Sequence, residues 1–241
     1  MTEHDAFIDD LMRRSDQIVA ELRVDETIGR YVDNRPLPRP FVGAGPIQLV
    51  VVDLDASSCD ERRRDRSAAV LNLDRKPHPL YRFVERICRP LGLSLHDNVY
   101  ATNACKNFFS PRPNAIKRRD KVDVLARSWD QWRELLLLEL ARFPDAIVCT
   151  LGQPILRLLL KPGQPRNLGH YWGMTEYYTK HQSRQFRCVE AEASSIGRRF
   201  VPLYHLYSTG VQYFRTFRHD YLLSVIRGQW SVEVRSGESD G

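Results

Sequence analysis

The chain has 241 residues, 42% of them apolar and 27% charged, proportions that supply one sizeable core and exclude a disordered or collagen-like chain. Lysine and arginine outnumber aspartate and glutamate by 36 to 30, a formal net charge of +6, and most of the cations are arginine, whose planar guanidinium suits phosphate. The most apolar stretches, such as 47–52, interrupted by Gln48, and 135–138, fall far short of the roughly 20 residues of a membrane span, so no membrane partner is expected.

Residues 1–10 are acidic and lack the cationic and apolar regions of a secretory signal. Residues 6–24 carry Phe7, Ile8, Leu11, Ile18, Val19 and Leu22 at helical spacing, which predicts an amphipathic helix. Residues 34–40 are too proline-rich for helix or sheet and predict an extended connector, closed by Gly43, Gly45 and Pro46. The β-branched run 47–54 has the pattern of a strand buried on both faces. Runs at 98–103, 146–151 and 200–204 resemble it. Between them lie helical patterns at 80–88, 122–143 and 154–160, the last with Pro154 in its first turn, where proline is tolerated. Tyr213, Phe214, Phe217 and Tyr221 form the buried stripe of a final helix, and Trp129 and Trp132 read as packing.

Strands alternating with helices predict an α/β fold, a three-layer sandwich with a central four-stranded, mainly parallel sheet. The expected organisation is an N-terminal helix and connector over 1–46, the α/β domain over 47–230 and a flexible tail over 231–241. The five cysteines, Cys59, Cys88, Cys105, Cys149 and Cys188, are scattered without a C-x-x-C pair. That pattern predicts a reducing, cytoplasmic setting (the nucleoid, in a bacterium) and neither a disulfide framework nor a zinc ribbon.

Ligands of open parallel sheets bind outside the carboxyl ends of the strands. Those ends carry Asp53 and Asp55, Asn103 with Lys106, Gly152 with Gln153, and His205 with Ser208. An asparagine amide presents an acceptor beside a donor and so matches the edge of a pyrimidine. The segment 106–121 holds Lys106, Arg112, Lys117, Arg118, Arg119 and Lys121 against one acid, Asp120, with Phe108 and Phe109 interleaved. Cations neutralise phosphates and rings stack on bases, so this segment is the expected DNA-binding loop. A second cluster, Arg62, Arg63, Arg64 and Arg66, is diluted by Asp60, Glu61 and Asp65.

From 47 to 223 the order and spacing of these segments resemble the uracil-DNA glycosylase superfamily, particularly its smaller bacterial and archaeal branches. Val99-Tyr100-Ala101-Thr102-Asn103-Ala104-Cys105-Lys106 is similar to the family's strand ending in T-N-x-x-K, and Val201-Pro202-Leu203-Tyr204-His205-Leu206-Tyr207-Ser208 to the strand ending in H-P-[SA]. After the first strand the family places G-Q-D-P-Y or G-E-x-P-G. Asp53-Leu54-Asp55-Ala56-Ser57 stands in its place, without the glycine or proline, and Leu206 replaces the proline of the last motif.

The resemblance implies a DNA glycosylase of base excision repair that flips a deaminated base, uracil foremost, and hydrolyses its N-glycosidic bond. In that reading Asn103 reads the base edge. His205 stabilises charge on the departing base. Asp55 orients or deprotonates water, with Asp53, on the same strand face, as its rival or as a base contact. Tyr81 or Phe83 supplies the ring that stacks on the base. Leu206, Tyr207 and Thr209 form the loop that presses into the minor groove to extrude the nucleotide, and Ser208 within it contacts DNA. The implied partner is DNA, through its phosphate backbone and one extruded base, with the protein acting as a monomer and without a cofactor. The superfamily's iron–sulfur branches use four cysteines, two of them near the N-terminus. No cysteine precedes Cys59 in this chain, so neither a cluster nor another metal is expected. The alternative is a non-catalytic DNA- or nucleotide-binding member of the same fold.

Overall fold

In a computed structural model of the chain, the residues described are 3–55, 68–76, 78–173 and 186–223. The four expected strands form close to their expected bounds, as β2 (Leu49–Asp55), β3 (Val99–Cys105), β4 (Ile147–Leu151) and β5 (Val201–Leu203). They are parallel neighbours, with Asp53 opposite Asn103, Val51 opposite Cys149 and Leu151 opposite Leu203. A fifth strand corrects the expected count: β1 (Phe41–Val42) pairs antiparallel with β3, giving the order β1-β3-β2-β4-β5. It is two residues long and lies at an edge, directly after Pro40. An edge is the place where a sheet accepts a neighbouring proline, because the missing N–H is not needed there.

Helices cover both faces, so the architecture is the expected three-layer α/β sandwich. On one face lies α5 (Val124–Ala141), whose Glu139 is reached by the side chains of Tyr100 and Thr102 from β3. Behind α5 lies α1 (Glu3–Val24), with Ile8, Leu11, Val19 and Leu22 buried in the common core. The segment 1–46 therefore contributes a strand and a core helix instead of standing apart from the domain. The other face carries α2 (Pro79–Leu91) and α8 (Val211–Tyr221), joined by the rings of Phe83 and Phe214 at 4.6 Å.

The shorter helices are α3 (Leu95–Asn98), α4 (Pro113–Asp120), α6 (Gln153–Leu159) and α7 (Leu168–Tyr171). The sequence reading missed α4, which forms inside the expected basic loop. Pro113 at its first turn and Ile116, both buried, are its anchors, and α5 then begins at an Asp123 cap that accepts the Ala126 N–H at 3.1 Å. Phe214 and Tyr221 of the final helix and Trp132 of α5 are buried, as core. The tail 231–241, Cys59 and the Arg62–Arg66 cluster lie outside the described residues. No helix among the described residues is long and apolar enough to cross a membrane.

Candidate functional site

The chain leaves β2 for β3 on one side and returns to β4 on the other. The connections therefore diverge between β2 and β4, the switch point at whose carboxyl ends open α/β sheets form their ligand crevice. Asp53 and Asn103 are register partners on adjacent strands and so point to the same face, the one covered by α2 and α8. His205 follows two residues after the end of β5. Its Nε2 lies 3.7 Å from Asp53 Oδ2. Asp53 Oδ1 is engaged by the Leu54 N–H at 2.8 Å, which turns the other oxygen to the histidine.

The turn after β5 fixes the imidazole. Tyr207 N–H donates to His205 Nδ1 at 3.2 Å, and both the N–H and the hydroxyl of Ser208 donate to the His205 carbonyl at 3.0 and 2.7 Å. An accepting Nδ1 puts the proton of the neutral ring on Nε2, facing Asp53. Burial disfavours a second proton, but the charge and hydrogen bonding of Asp53, and at longer range Asp55, outweigh it and raise the pKa of His205.

Gly152, the residue after β4, closes the floor. Its φ of +95° is a conformation that side chains rarely adopt, and a Cβ there would stand 3.2 Å from His205 Cβ. The sequence marked Gly152 only as a strand end, since a positive φ leaves no trace in composition. Phe83 backs the imidazole from α2, with ring centroids 6.4 Å apart.

Asn103 is 3% exposed, yet its side-chain amide makes no hydrogen bond to any described residue. The amide is not among the fully buried polar atoms that lack a partner, so it opens from a buried residue beside Asp53 with donors and an acceptor to offer a ligand. Asp55 lies two residues further out on the same face of β2 and is half-buried. Asp53, Asp55, Asn103, His205 and Phe83 are thus brought together.

Other expected site residues are not. Tyr81 is buried with its hydroxyl on His96 Nε2 at 2.7 Å, so it presents no ring face to a base. Phe83 is also buried and supports His205 and Phe214, so it does not serve as a stacking platform either. Lys106, expected to contact DNA, is not on the surface. Its side chain is 3% exposed, and its ammonium donates to Glu139 Oε2 (2.7 Å), Thr102 Oγ1 (2.7 Å) and the Asn103 carbonyl (3.0 Å).

Leu206 is partly buried against the core and Ser208 is held in the turn, which leaves Tyr207, half-exposed beside His205, as the most exposed apolar group of the expected wedge. Along α4, Lys117 pairs with Asp123 at 2.5 Å and Lys121 donates to the Arg118 carbonyl. Arg119 pairs with Asp120, whose carboxyl is drawn down to about 2 by Arg119 and Tyr31. Arg118 is exposed and Arg112 precedes the helix, half-buried.

Sequence reasoning also missed Glu139. Its signal was an acid at core spacing from Leu135 and Leu136, a position that demands a buried cation. The four cysteines among the described residues are buried, and burial pushes their thiols up, Cys88 and Cys188 to about 12, so none is poised as a thiolate. No group of three metal-ligating side chains converges among the described residues.

Fold and site together define a three-layer α/β protein with a polar crevice of carboxylate, amide and imidazole at a topological switch point. No protein-family model and no curated protein matches the chain.

Proposed function

We propose that the chain is a glycosylase-type hydrolase that takes a flipped, deaminated base from DNA, uracil foremost, and cleaves its N-glycosidic bond. The observation that carries the reading is the amide of Asn103, without a hydrogen bond to any described residue, in register with Asp53 and across the crevice from His205. Asn103 pairs with the N–H and C=O edge of the base. The Nε2–H of His205 is held only loosely by Asp53, at 3.7 Å, and so can turn to a carbonyl of the departing base. Asp55, at the outer end of β2, holds the water. As the bond between the base nitrogen and C1′ breaks, its electron pair leaves with the base and the water oxygen adds to C1′, giving up a proton to Asp55.

The second reading, a binder without hydrolysis, is favoured by one observation. Asp53 faces the same His205 proton that the leaving base requires, and it competes for it. A single assay separates the two. Purified protein is incubated with oligonucleotides containing uracil, hypoxanthine or xanthine, and abasic sites are counted. The hydrolase forms abasic sites, Asn103→Ala loses about 1–3 kcal/mol of discrimination for the base as other bidentate base contacts do, and Asp55→Asn slows cleavage with DNA binding intact. DNA binding without abasic sites on all three substrates establishes the binder.

A further inference from the structure

Among the described residues, two helices outside the basic run also carry cations without a carboxylate partner, and these are grouped. On α2, Arg82, Arg86 and Arg89 are spaced by four and three residues, which places them on one stripe of the helix, and all three are exposed. On α8, Arg215 and Arg218 are three residues apart, the first exposed and the second half-buried, with Arg218 Nη1 donating to the Arg215 carbonyl at 2.7 Å. None of the five is paired with a carboxylate among the described residues. Glu85 is the only acid on α2, and Asp220, the only acid on α8, faces His219. Packing of Phe83 on Phe214 draws the two stripes together, so that burial and the charges of Arg86 and Arg89 all disfavour the charged form of Arg218.

Like charges held together without counter-charge cost folding energy, and an external anion offsets that cost. We propose that the arginine stripes of α2 and α8 form a docking face for the phosphate backbone of nucleic acid, running away from the mouth of the crevice. Three observations select this partner. The cations are all arginine, whose fork engages phosphate oxygens in pairs. The α2 stripe extends about 10 Å, on the scale of successive phosphates. Among the described residues the exposed large apolar ones are Val24, Leu138 and Tyr207, none on α2 or α8, so the face lacks the fully exposed apolar side chains with which a helix enters a lipid surface. The face joins the site directly, since Phe83 touches both Phe214 and His205. A strand laid along it enters the crevice at His205.

The inference rests on the reading of the chain as a DNA-acting protein, and its test uses undamaged DNA so that hydrolysis plays no part. Binding of the full chain to a fluorescent 20-mer duplex and to its single strand is measured by anisotropy between 50 and 200 mM salt. Arg86→Gln, Arg89→Gln and Arg218→Gln together lower the slope of log affinity against log salt by about 2.7, at about 0.9 for each phosphate no longer neutralised. Over that salt range the wild type then loses about 40-fold more affinity than the variant. The corresponding triple lysine variant restores the slope, which separates the removal of charge from a failure to fold.

Lys117→Gln with Arg119→Gln, whose cations are already paired, moves the slope little. A slope unchanged in the glutamine triple, a loss carried instead by Lys117 and Arg119, or wild-type binding to anionic lipid vesicles and not to DNA each overturns the face. Salt-dependent DNA binding through α2 and α8 with no excision of any base removes the hydrolase and keeps the face. Excision with an unchanged slope does the reverse.

Discussion

Two ion pairs sit at the carboxyl end of the same sheet, one on each face. Lys106 and Glu139 are 2.7 Å apart with side chains 3% and 0% exposed. Glu139 Oε1 accepts from the hydroxyls of Tyr100 (2.5 Å) and Thr102 (2.6 Å), and each ammonium proton of Lys106 has a protein acceptor. Asp53 and His205 are 3.7 Å apart, 17% and 20% exposed, beside an asparagine whose amide is idle. Burying charge repays its desolvation only when the hydrogen bonding is complete, which is how the first pair is built. The second is held short of completion and retains bonding capacity for something else. One is scaffold and the other is a site. They are connected, because the Lys106 ammonium grips the carbonyl of Asn103, the residue whose side chain opens on the opposite face.

The largest effect comes from breaking the sealed pair. Lys106→Met strands Glu139 without its cation and should cost about 3–5 kcal/mol of stability, read from denaturant unfolding, while Lys106→Met with Glu139→Leu recovers much of it. A loss under about 1 kcal/mol would show that water reaches Glu139 and that the two pairs do not differ in kind.

Gly152→Ala comes next and strikes the open pair. Placing a side chain at φ +95° costs about 1–3 kcal/mol, and the new Cβ crowds His205 Cβ, so the imidazole must move relative to Asp53. The expected signature is moderate destabilisation together with a changed His205 chemical shift. A variant of lower stability with an unmoved histidine would separate the backbone strain from the site.

The contrast between the pairs was only partly legible in the sequence. Val50, Val51 and Val52 announce β2 because a strand covered on both faces needs an unbroken apolar run, and the polar residues at the strand ends then place Asp53, Asn103 and His205 in one crevice. Lys106 opens a basic run and, from sequence alone, reads as facing outward. Strand alternation from Thr102 puts it inward, on the face of Glu139, once β3 is known to run to Cys105. The two-residue β1 and the polar α4 carry too little periodicity to be read. The arginine face is invisible in sequence for a different reason: its two stripes are separated by most of the chain, and only the Phe83–Phe214 contact makes them neighbours.

The smallest effect, and the sharpest probe of the open pair, is the pH dependence of Asp53→Asn. His205 has a folded pKa raised above its ordinary 6.5, so its protonation stabilises the fold fully below that value and the contribution fades as pH rises through the folded pKa. Asp53 is the nearer of the two carboxylates that raise it, and the asparagine variant lowers the folded pKa towards the unfolded one. The stability difference between wild type and variant should therefore be larger at pH 5.5 than at pH 9, and histidine NMR should show the midpoint of His205 moving down in the variant.

Geometry adds a second readout. The proton that completes the imidazolium goes to Nδ1, where the Tyr207 N–H now donates, so protonation must release that bond. The Tyr207 amide resonance should titrate with the ring in the wild type, and both midpoints should fall together in Asp53→Asn. A stability difference that is flat between the two pH values, or a Tyr207 amide that stays silent while His205 titrates, would mean that the imidazole is held from elsewhere and that Asp53 is free to act on the ligand directly.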